Sequence, residues 1–284
     1  MLSEVIYPSR YSADACDSAC RTDDIMRTLN QIERRARAVY HKGMAYALNG
    51  VVPYFIVNEF PKSGGTWLGQ MLSDALNIPM PRNRRIGFER SIVHGHFLRS
   101  FGLKNVIVVW RDPRDVVVSY YFHCFFKNEH QNGLLVDMMR DRLIFHDYDD
   151  IRANLPRFLR YINETPLSPK FTWFEFAKIW AKSSSAVHTS YENLRVDTTS
   201  ELSRVISAMG VPVPDIRWLK EVIERHGFDE AKARAEDQIE KMDGCRRSFV
   251  REGSVGGWTK HFSAEALDLI DQYYQPMMQK VGYE

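Results

Sequence analysis

No stretch of this 284-residue chain is long and apolar enough to span a membrane, and no targeting pattern opens it. A membrane-spanning helix needs about 18 or more consecutive apolar residues. A signal peptide needs a basic segment followed by an apolar one. Here charged residues interrupt the N-terminal apolar positions: Arg10, Asp14, Asp17, Arg21, Asp23 and Asp24. We therefore expect a protein without a transmembrane segment that resides in the cytoplasm.

Neither sign of charge is in large excess. The chain has 38 Lys and Arg against 36 Asp and Glu, a formal net charge of +2. A protein that binds duplex nucleic acid through its whole surface carries a much stronger basic bias. We therefore predict no nucleic-acid partner, while a local basic patch stays open.

Cysteine is scarce, with four residues and no C-x-x-C pair. A chain of 284 residues with 44% hydrophobic content can bury one good-sized core without disulfides. Cys16 and Cys20 lie four positions apart, which leaves a disulfide or half of a metal site open, but we expect reduced thiols.

The most informative segment that is present joins a strand to a helix. Residues 54–57 are apolar, β-branched and aromatic, and from Trp67 onward apolar residues recur at helical spacing. Between them lies Phe60-Pro61-Lys62-Ser63-Gly64-Gly65-Thr66. A loop so placed directs backbone N–H groups and the positive end of the helix dipole at one point, so the pattern predicts an anion site. Its lysine precedes the glycines, whereas a nucleoside-triphosphate P-loop has the order G-x-x-x-x-G-K-[ST].

Strand patterns alternate with helical patterns along the rest of the chain, without internal repeats. Further strands are predicted at residues 91–93, 105–110 and 186–191. Helices are predicted at residues 23–48, 113–126, 171–183, 200–209, 216–226, 229–240 and 264–280, with two short ones within 127–170. For the helix at 113–126, Asp112 is the predicted N-cap and Pro113 the first helical residue. Such alternation is typical of a parallel sheet. We predict a single α/β domain over residues 51–284, with a central parallel β-sheet flanked by helices, and a helical extension over residues 1–50 packed on it.

Three segments together resemble those of the sulfotransferases that use 3′-phosphoadenosine 5′-phosphosulfate (PAPS). The loop has the form P-K-S-G-x-T-W of that family's 5′-phosphosulfate loop. Residues 111–121 look like its 3′-phosphate segment, R-x-P-[KR]-D-x-x-x-S, and residues 249–258 look like its closing loop, R-[KR]-G-x-x-G-x-W. The three segments stand in the family's order over about residues 54–262. The resemblance therefore covers most of the chain.

The resemblance implies PAPS as the sulfuryl donor and adenosine 3′,5′-bisphosphate (PAP) as the product. It implies that five loop residues bind the 5′ end: Lys62, Ser63, Gly64, Gly65 and Thr66. The implied residues for the 3′-phosphate are Arg111, Ser119, Arg251 and Gly253. The implied adenine contacts are Trp67, Tyr191 and Phe228, with a role as core aromatics as the alternative.

The family's catalytic base is the histidine of a K-x-H pattern, which the resemblance assigns to His96. His94 stands where the lysine is usual, so Lys62 is left to balance the leaving phosphate, and a second base at His94 stays open. A histidine with an ordinary pKa near 6.5 suits this task at neutral pH. No third metal ligand is evident beside the two histidines, and a lysine, N–H groups and a helix dipole suffice without Mg²⁺, so we expect no metal.

Three further positions depart from the family's pattern: Gly65 replaces a threonine, Glu252 a basic residue and Gly257 an aspartate. None is part of the central pattern. Glu252 is expected to weaken the hold on the 3′-phosphate or to form a local ion pair.

The acceptor is not legible from the sequence. Aromatic residues at 122–126 and 171–176 could line an apolar pocket for a phenol, a sterol-like or a lipid alcohol. Alternatively, Arg82, Arg84, Arg85 and Arg90 could guide an anionic sugar or polyketide acceptor, although a solvated basic loop is the favoured interpretation of these arginines. A hydroxyl of a small molecule or lipid is favoured over an amine. A carbohydrate-type sulfotransferase, a nucleotide kinase and a non-catalytic nucleotide-binding module stay as alternatives, and a homodimer is left open.

Overall fold

A sheet of four parallel strands forms the centre of the computed structural model, which describes residues 39–82, 86–242, 247–248 and 253–284 together with Glu33 and Ala36. The strands are β1 (Tyr54–Glu59), β2 (Ser91–Gly95), β3 (Val106–Trp110) and β4 (Val187–Ser190), in the order β2-β1-β3-β4. Val57 lies opposite His94 on one side of β1 and opposite Ile107 on the other. The predicted α/β fold with a central parallel sheet is confirmed.

Helices flank this sheet and account for most of the other residues that the structure describes. Residues 39–48 form α1. The others are α2 (Gly65–Leu76), α3 (Pro113–Phe125), α4 (Gly133–Arg142), α5 (Ile151–Glu164), α6 (Trp173–Trp180), α7 (Tyr191–Val196), α8 (Thr198–Ala208), α9 (Ile216–Arg225), α10 (Phe228–Met242) and α11 (Ala264–Met278). Residues 23–32 of the predicted first helix lie outside the described residues.

The two faces of the sheet bury separate hydrophobic clusters. Tyr54 and Ile56 face a cluster shared with α3, α5, α6 and α11, while Phe55 and Val57 face a cluster shared with α2, α8 and α9. Side chains alternate between the faces of a strand, so strands covered on both sides read as continuous apolar runs. This explains why β1 and β3, which are buried along their whole length, could be predicted from the sequence.

The carboxyl ends of the strands lie at one edge of the sheet, and the strand order reverses between β1 and β3. Chain segments that follow these two strands depart to opposite faces, which opens a crevice at that point. The loop after β1 contains Lys62, and β3 is followed directly by Arg111. The topology therefore brings two of the predicted anion-binding segments side by side.

Local sequence signals explain where the elements near this edge begin. Asp112 caps α3, since its side chain accepts the N–H of Arg114, and Pro113 is the first helical residue. The predicted strand to residue 191 is one residue too long, because the Ser190 hydroxyl accepts the N–H of Asn193 and starts α7 at Tyr191. Residues 257–260, predicted as loop, form a short 3-10 helix.

The described part of the N-terminal extension packs against the segment around β2. In α1, Ala45 is buried in the core, and the Tyr40 and Tyr46 hydroxyls donate to the backbone carbonyls of Ile86 and Arg99. Within the described ranges, no helix combines the length and apolar character needed to traverse a bilayer.

Candidate active site

The loop between β1 and α2 has a strained backbone at the predicted anion site. Lys62 has φ of 78° and Gly64 φ of 97°, both in the left-handed region. For a lysine this conformation costs energy, of the order of 1 kcal/mol or more, and persists only where surrounding structure enforces it. A Cβ on Gly64 would stand 2.8 Å from Tyr191 Cδ2, so no larger residue fits there. The loop therefore packs closely against Tyr191, the residue that follows β4.

Arg111 joins all three predicted segments. Its Nη1 donates to the Lys62 carbonyl at 3.2 Å and its Nη2 lies 3.5 Å from the Ser254 carbonyl. The guanidinium carbon stands 4.3 Å from the centroid of the Tyr191 ring. The Nε atom is buried and has no hydrogen-bond partner in the part of the chain that the structure describes. A buried unsatisfied donor is costly, so this atom fits a site that receives an anion.

Asp115 fixes the closing loop against α3. Its carboxylate accepts the N–H of Gly256 at 2.8 Å and that of Trp258 at 2.9 Å. Arg114 is ion-paired with Asp112 and stacks 4.2 Å over the Trp258 ring. The loop after residue 253 is therefore held to the same helix that carries Ser119.

Three aromatic side chains lie around the other end of the site. The rings of Trp67 and Tyr191 are 5.8 Å apart, and Trp67 Nε1 donates to the His226 carbonyl. Tyr191 donates from its hydroxyl to the Gly253 carbonyl at 2.9 Å. Gly253 has φ of 58°, and a Cβ there would meet the Phe228 ring at 2.4 Å. All three side chains line one cavity, and Trp67 also packs against the core cluster of α2, α8 and α9.

One cavity of about 480 Å³ opens at the carboxyl end of the sheet. Nine of the predicted site residues line it: Lys62, Gly64, Thr66, Trp67, Arg111, Ser119, Tyr191, Phe228 and Gly253. Ser63 and Gly65 are buried beside it without lining it. Arg251 and Glu252 lie outside the described residues. The volume is within the usual range for small-molecule sites.

His96 adjoins this cavity without lining it. Its Nδ1 lies 2.9 Å from the backbone carbonyl of Glu59, which can only accept, so Nδ1 carries the hydrogen and Nε2 keeps a lone pair. Burial lowers the pKa of His96 below 6.5, and His94 nearby lowers it further, outweighing the opposite effect of Glu59. The ring is therefore neutral at pH 7 and can accept a proton at Nε2.

The segment that carries His96 is clamped to β1. Asn58 donates from its side chain to the Phe97 carbonyl and accepts the Phe97 N–H at 2.7 Å, and Trp180 Nε1 also donates to that carbonyl. Such reciprocal bonds between buried groups give the histidine a defined position relative to the loop at Lys62.

Several cavity residues were not predicted from sequence. Glu59, Gln70, Glu129 and His130 line the cavity, as does Arg82, which the sequence suggested only as part of a basic stretch. None of them belongs to a motif, and no local pattern distinguishes them from other polar positions. In contrast, the aromatic residues considered for an apolar acceptor pocket belong to or pack against the core: Phe122, Phe125, Phe126, Phe171, Trp173, Phe174 and Phe176.

A family model described as the sulfotransferase domain matches residues 96–282, about two thirds of the chain. The chain belongs to the sulfotransferase domain family. Sulfotransferase 1E1 of Bos taurus is 26% identical over 189 residues, which cover 63% of this chain and 57% of that protein. Sulfotransferase 1E1 of Rattus norvegicus is 25% identical over 264 residues, covering 78% of this chain and 82% of that protein. The match thus spans little more than half the length of the bovine relative.

Solved structures share the fold at lower identity. Mouse sulfotransferase SULT7A1 complexed with PAP superposes with a TM-score of 0.60 at 15% identity, over 86% of this chain and 90% of that one. Retinol dehydratase in complex with androsterone and inactive cofactor PAP gives a TM-score of 0.61 at 16% identity, over 86% and 87%. The likeness establishes the architecture of a sulfotransferase fold.

Proposed function

We propose that the protein transfers the sulfuryl group of PAPS to a hydroxyl of a small-molecule acceptor and releases PAP. The observation that carries this proposal is the position of Arg111, whose guanidinium lies among the loop at Lys62, the ring of Tyr191 and the closing loop at Ser254. A nucleotide with phosphates at both its 5′ and 3′ positions needs two separate groups of donors. The loop before α2 supplies one, and Arg111 with Ser119 supplies the other.

The residues of the cavity fit such a ligand. Arg111 Nε is a buried donor without a partner among the described residues. Gly64 and Gly253 keep the backbone close to Tyr191 and Phe228, where an adenine would lie next to aromatic faces. The two fold neighbours hold PAP, which supports the same nucleotide here.

In the proposed reaction, the hydroxyl proton of the acceptor passes to His96 Nε2. The acceptor oxygen forms a bond to sulfur as the bond between sulfur and the 5′-phosphate oxygen breaks. Lys62 and the N–H groups of the first turn of α2, apart from that of Gly65, which Glu59 accepts, balance the negative charge that grows on the leaving phosphate. The neutral His96 ring is suited to the proton transfer because Glu59 already accepts from its other nitrogen.

We keep a small-molecule alcohol as the acceptor, with retinol dehydratase and its androsterone complex in support. The position of Arg82 in the cavity lining favours an acceptor with a polar or anionic end over a purely apolar one. A panel that contains phenols, sterols, lipid alcohols and sugars discriminates among these classes.

Two measurements separate this function from its rivals. We expect PAP to bind far more tightly than ATP in calorimetry, and ³⁵S to pass from labelled PAPS to at least one alcohol of the panel. Preference for ATP would favour a kinase. Tight PAP binding without transfer to any acceptor would favour a non-catalytic binding module.

The pH dependence of turnover reports the state of His96. A protonated imidazole cannot take the acceptor's proton, so activity falls as the pH drops through the pKa of His96. Because burial lowers this pKa below 6.5, we expect the acid limb of kcat/KM to lie below pH 6.5. A limb at or above pH 6.5 in the wild-type enzyme would argue that another group is the base.

A further inference from the structure

A buried glutamate stands at the junction of the loop and the histidine segment. Glu59 is the last residue of β1, is 4% exposed and lines the cavity. Its Oε2 accepts the N–H of Gly65 at 2.5 Å, at the start of α2. Its Oε1 lies 2.9 Å from His94 Nε2. Thus one carboxylate connects the start of the anion-binding helix to the first of the two histidines.

The same residue also sets the proton positions on both imidazoles. An ionised carboxylate and a backbone carbonyl can only accept hydrogen bonds. His94 therefore donates from Nε2 to the Glu59 carboxylate, and His96 donates from Nδ1 to the Glu59 carbonyl. The two rings lie 5.4 Å apart at 81°. Each neutral ring keeps a lone pair on its other nitrogen, Nδ1 in His94 and Nε2 in His96.

Two of the departures from the family's pattern meet at this carboxylate. A Cβ on Gly65 would stand 2.8 Å from Glu59 Cδ, so the threonine usual at this position has no room beside it. His94, in the position of the usual lysine, is the partner of Glu59. Gly65 and His94 therefore form one spatial unit with Glu59 and are not two independent changes.

We propose that Glu59 is a positioning residue for proton transfer. Its carboxylate orients His94, its backbone carbonyl orients His96, and the carboxylate also places a negative charge in the cavity. The inference rests on the proposed function. Its consequence is a compromise between two well-oriented histidines and weaker binding of an anionic nucleotide.

The charges around Glu59 are consistent with an ionised carboxylate. Burial raises its pKa, but the hydrogen bond from His94, the electrostatic effect of the two imidazoles and the Gly65 N–H together bring the pKa below its usual value. The other charged and titratable groups near Glu59 come from four segments: the loop after β1, the segment before β2, the end of β2 and the segment after α3. In that order they are Lys62; Arg82; His94 and His96; and Glu129 and His130. Glu59 in turn raises the pKa of His96 against the lowering by burial.

Glu59→Gln tests this role. In this variant the side-chain oxygen of the glutamine can accept the hydrogen bond from the Gly65 N–H. Its NH₂ group then donates to His94 Nε2, so the proton of a neutral His94 must move from Nε2 to Nδ1. We expect kcat to fall roughly tenfold or more, less than loss of the base itself, and the acid limb of the pH profile to move to lower pH. We expect PAP to bind roughly threefold tighter or more, because a like charge has left the cavity. A residue with a merely structural role would produce neither the shifted limb nor the tighter binding.

Glu59→Asp is the matched control, since it keeps the charge and shortens the reach. It should lower kcat without tightening PAP binding, and ¹⁵N NMR of the imidazoles should report the changed His94 tautomer in Glu59→Gln alone. Unchanged kcat, pH profile and PAP affinity in Glu59→Gln would overturn the inference, as would weaker PAP binding in that variant. If Glu59→Gln does not fold, Glu59→Asp still tests the role of the charge. Because Asp keeps the negative charge, tighter PAP binding in Glu59→Asp would contradict the proposal that this charge weakens nucleotide binding. Failure of the proposed function is distinct, because the wild-type protein would then neither bind PAP nor transfer ³⁵S.

Discussion

Replacing His96 by alanine should lower kcat by about 10²- to 10⁴-fold, the range for loss of a general base. The affinity for PAP, measured by calorimetry, should stay within a few fold of wild type, because His96 adjoins the cavity without lining it. Single-turnover transfer of ³⁵S from labelled PAPS separates the chemical step from product release. The loss should appear in that step.

His146→Ala is a suitable control for the loss of an imidazole. His146 is exposed between α4 and α5 and does not line the cavity. This variant should transfer ³⁵S at the wild-type rate. A rate of ³⁵S transfer close to wild type in His96→Ala would refute the assignment of the base, and His94 would be the next histidine to replace.

The second large effect is expected at Arg111. Arg111→Ala should weaken PAP binding by about 10- to 150-fold, since a charge-assisted hydrogen bond contributes about 1.5–3 kcal/mol. Adenosine 5′-monophosphate lacks the 3′-phosphate and should lose much less affinity. Some loss is shared by both ligands, because Arg111 also supports the carbonyls of Lys62 and Ser254.

Arg111→Lys retains the charge but not the planar fork. It should recover part of the affinity for PAP and leave adenosine 5′-monophosphate binding near wild type. The comparison is made by calorimetry with both ligands on all three proteins. An equal loss for the two ligands in Arg111→Ala would mean that Arg111 supports the loops and does not bind the 3′-phosphate.

The sequence predicted the sheet and most helices because their signals are local. Continuous β-branched runs mark strands covered on both faces, as in β3, and Asp112-Pro113 marks the start of α3. The short α7 was not predicted, because Tyr191 is equally typical of the end of a strand. The structure shows that the Ser190 hydroxyl accepts the N–H of Asn193 and so starts a helix there. Local patterns thus located the elements to within a few residues.

Part of the candidate site could be predicted from the sequence because several of its residues belong to spaced motifs. Lys62, Arg111 and Gly253 lie in motifs with particular spacing, and the structure places all three around one cavity. Their roles in binding stay predictions. Glu59 was missed because its meaning depends on the parallel register of β1 with β2, which sets Val57 beside His94. Asp115 lies within one of the motifs, yet its hydrogen bonds to the backbone of Gly256 and Trp258 span 141 and 143 positions, so no local pattern could reveal them.

A crystal structure with PAP bound is the most direct test of the central claim that one nucleotide spans these segments. We expect the 5′-phosphate over the start of α2 within reach of Lys62, the 3′-phosphate on Arg111 and Ser119, and the adenine among Trp67, Tyr191 and Phe228. His96 Nε2 should face the space next to the 5′-phosphate. PAP bound outside this cavity, or bound with its 3′-phosphate away from Arg111, would contradict the account.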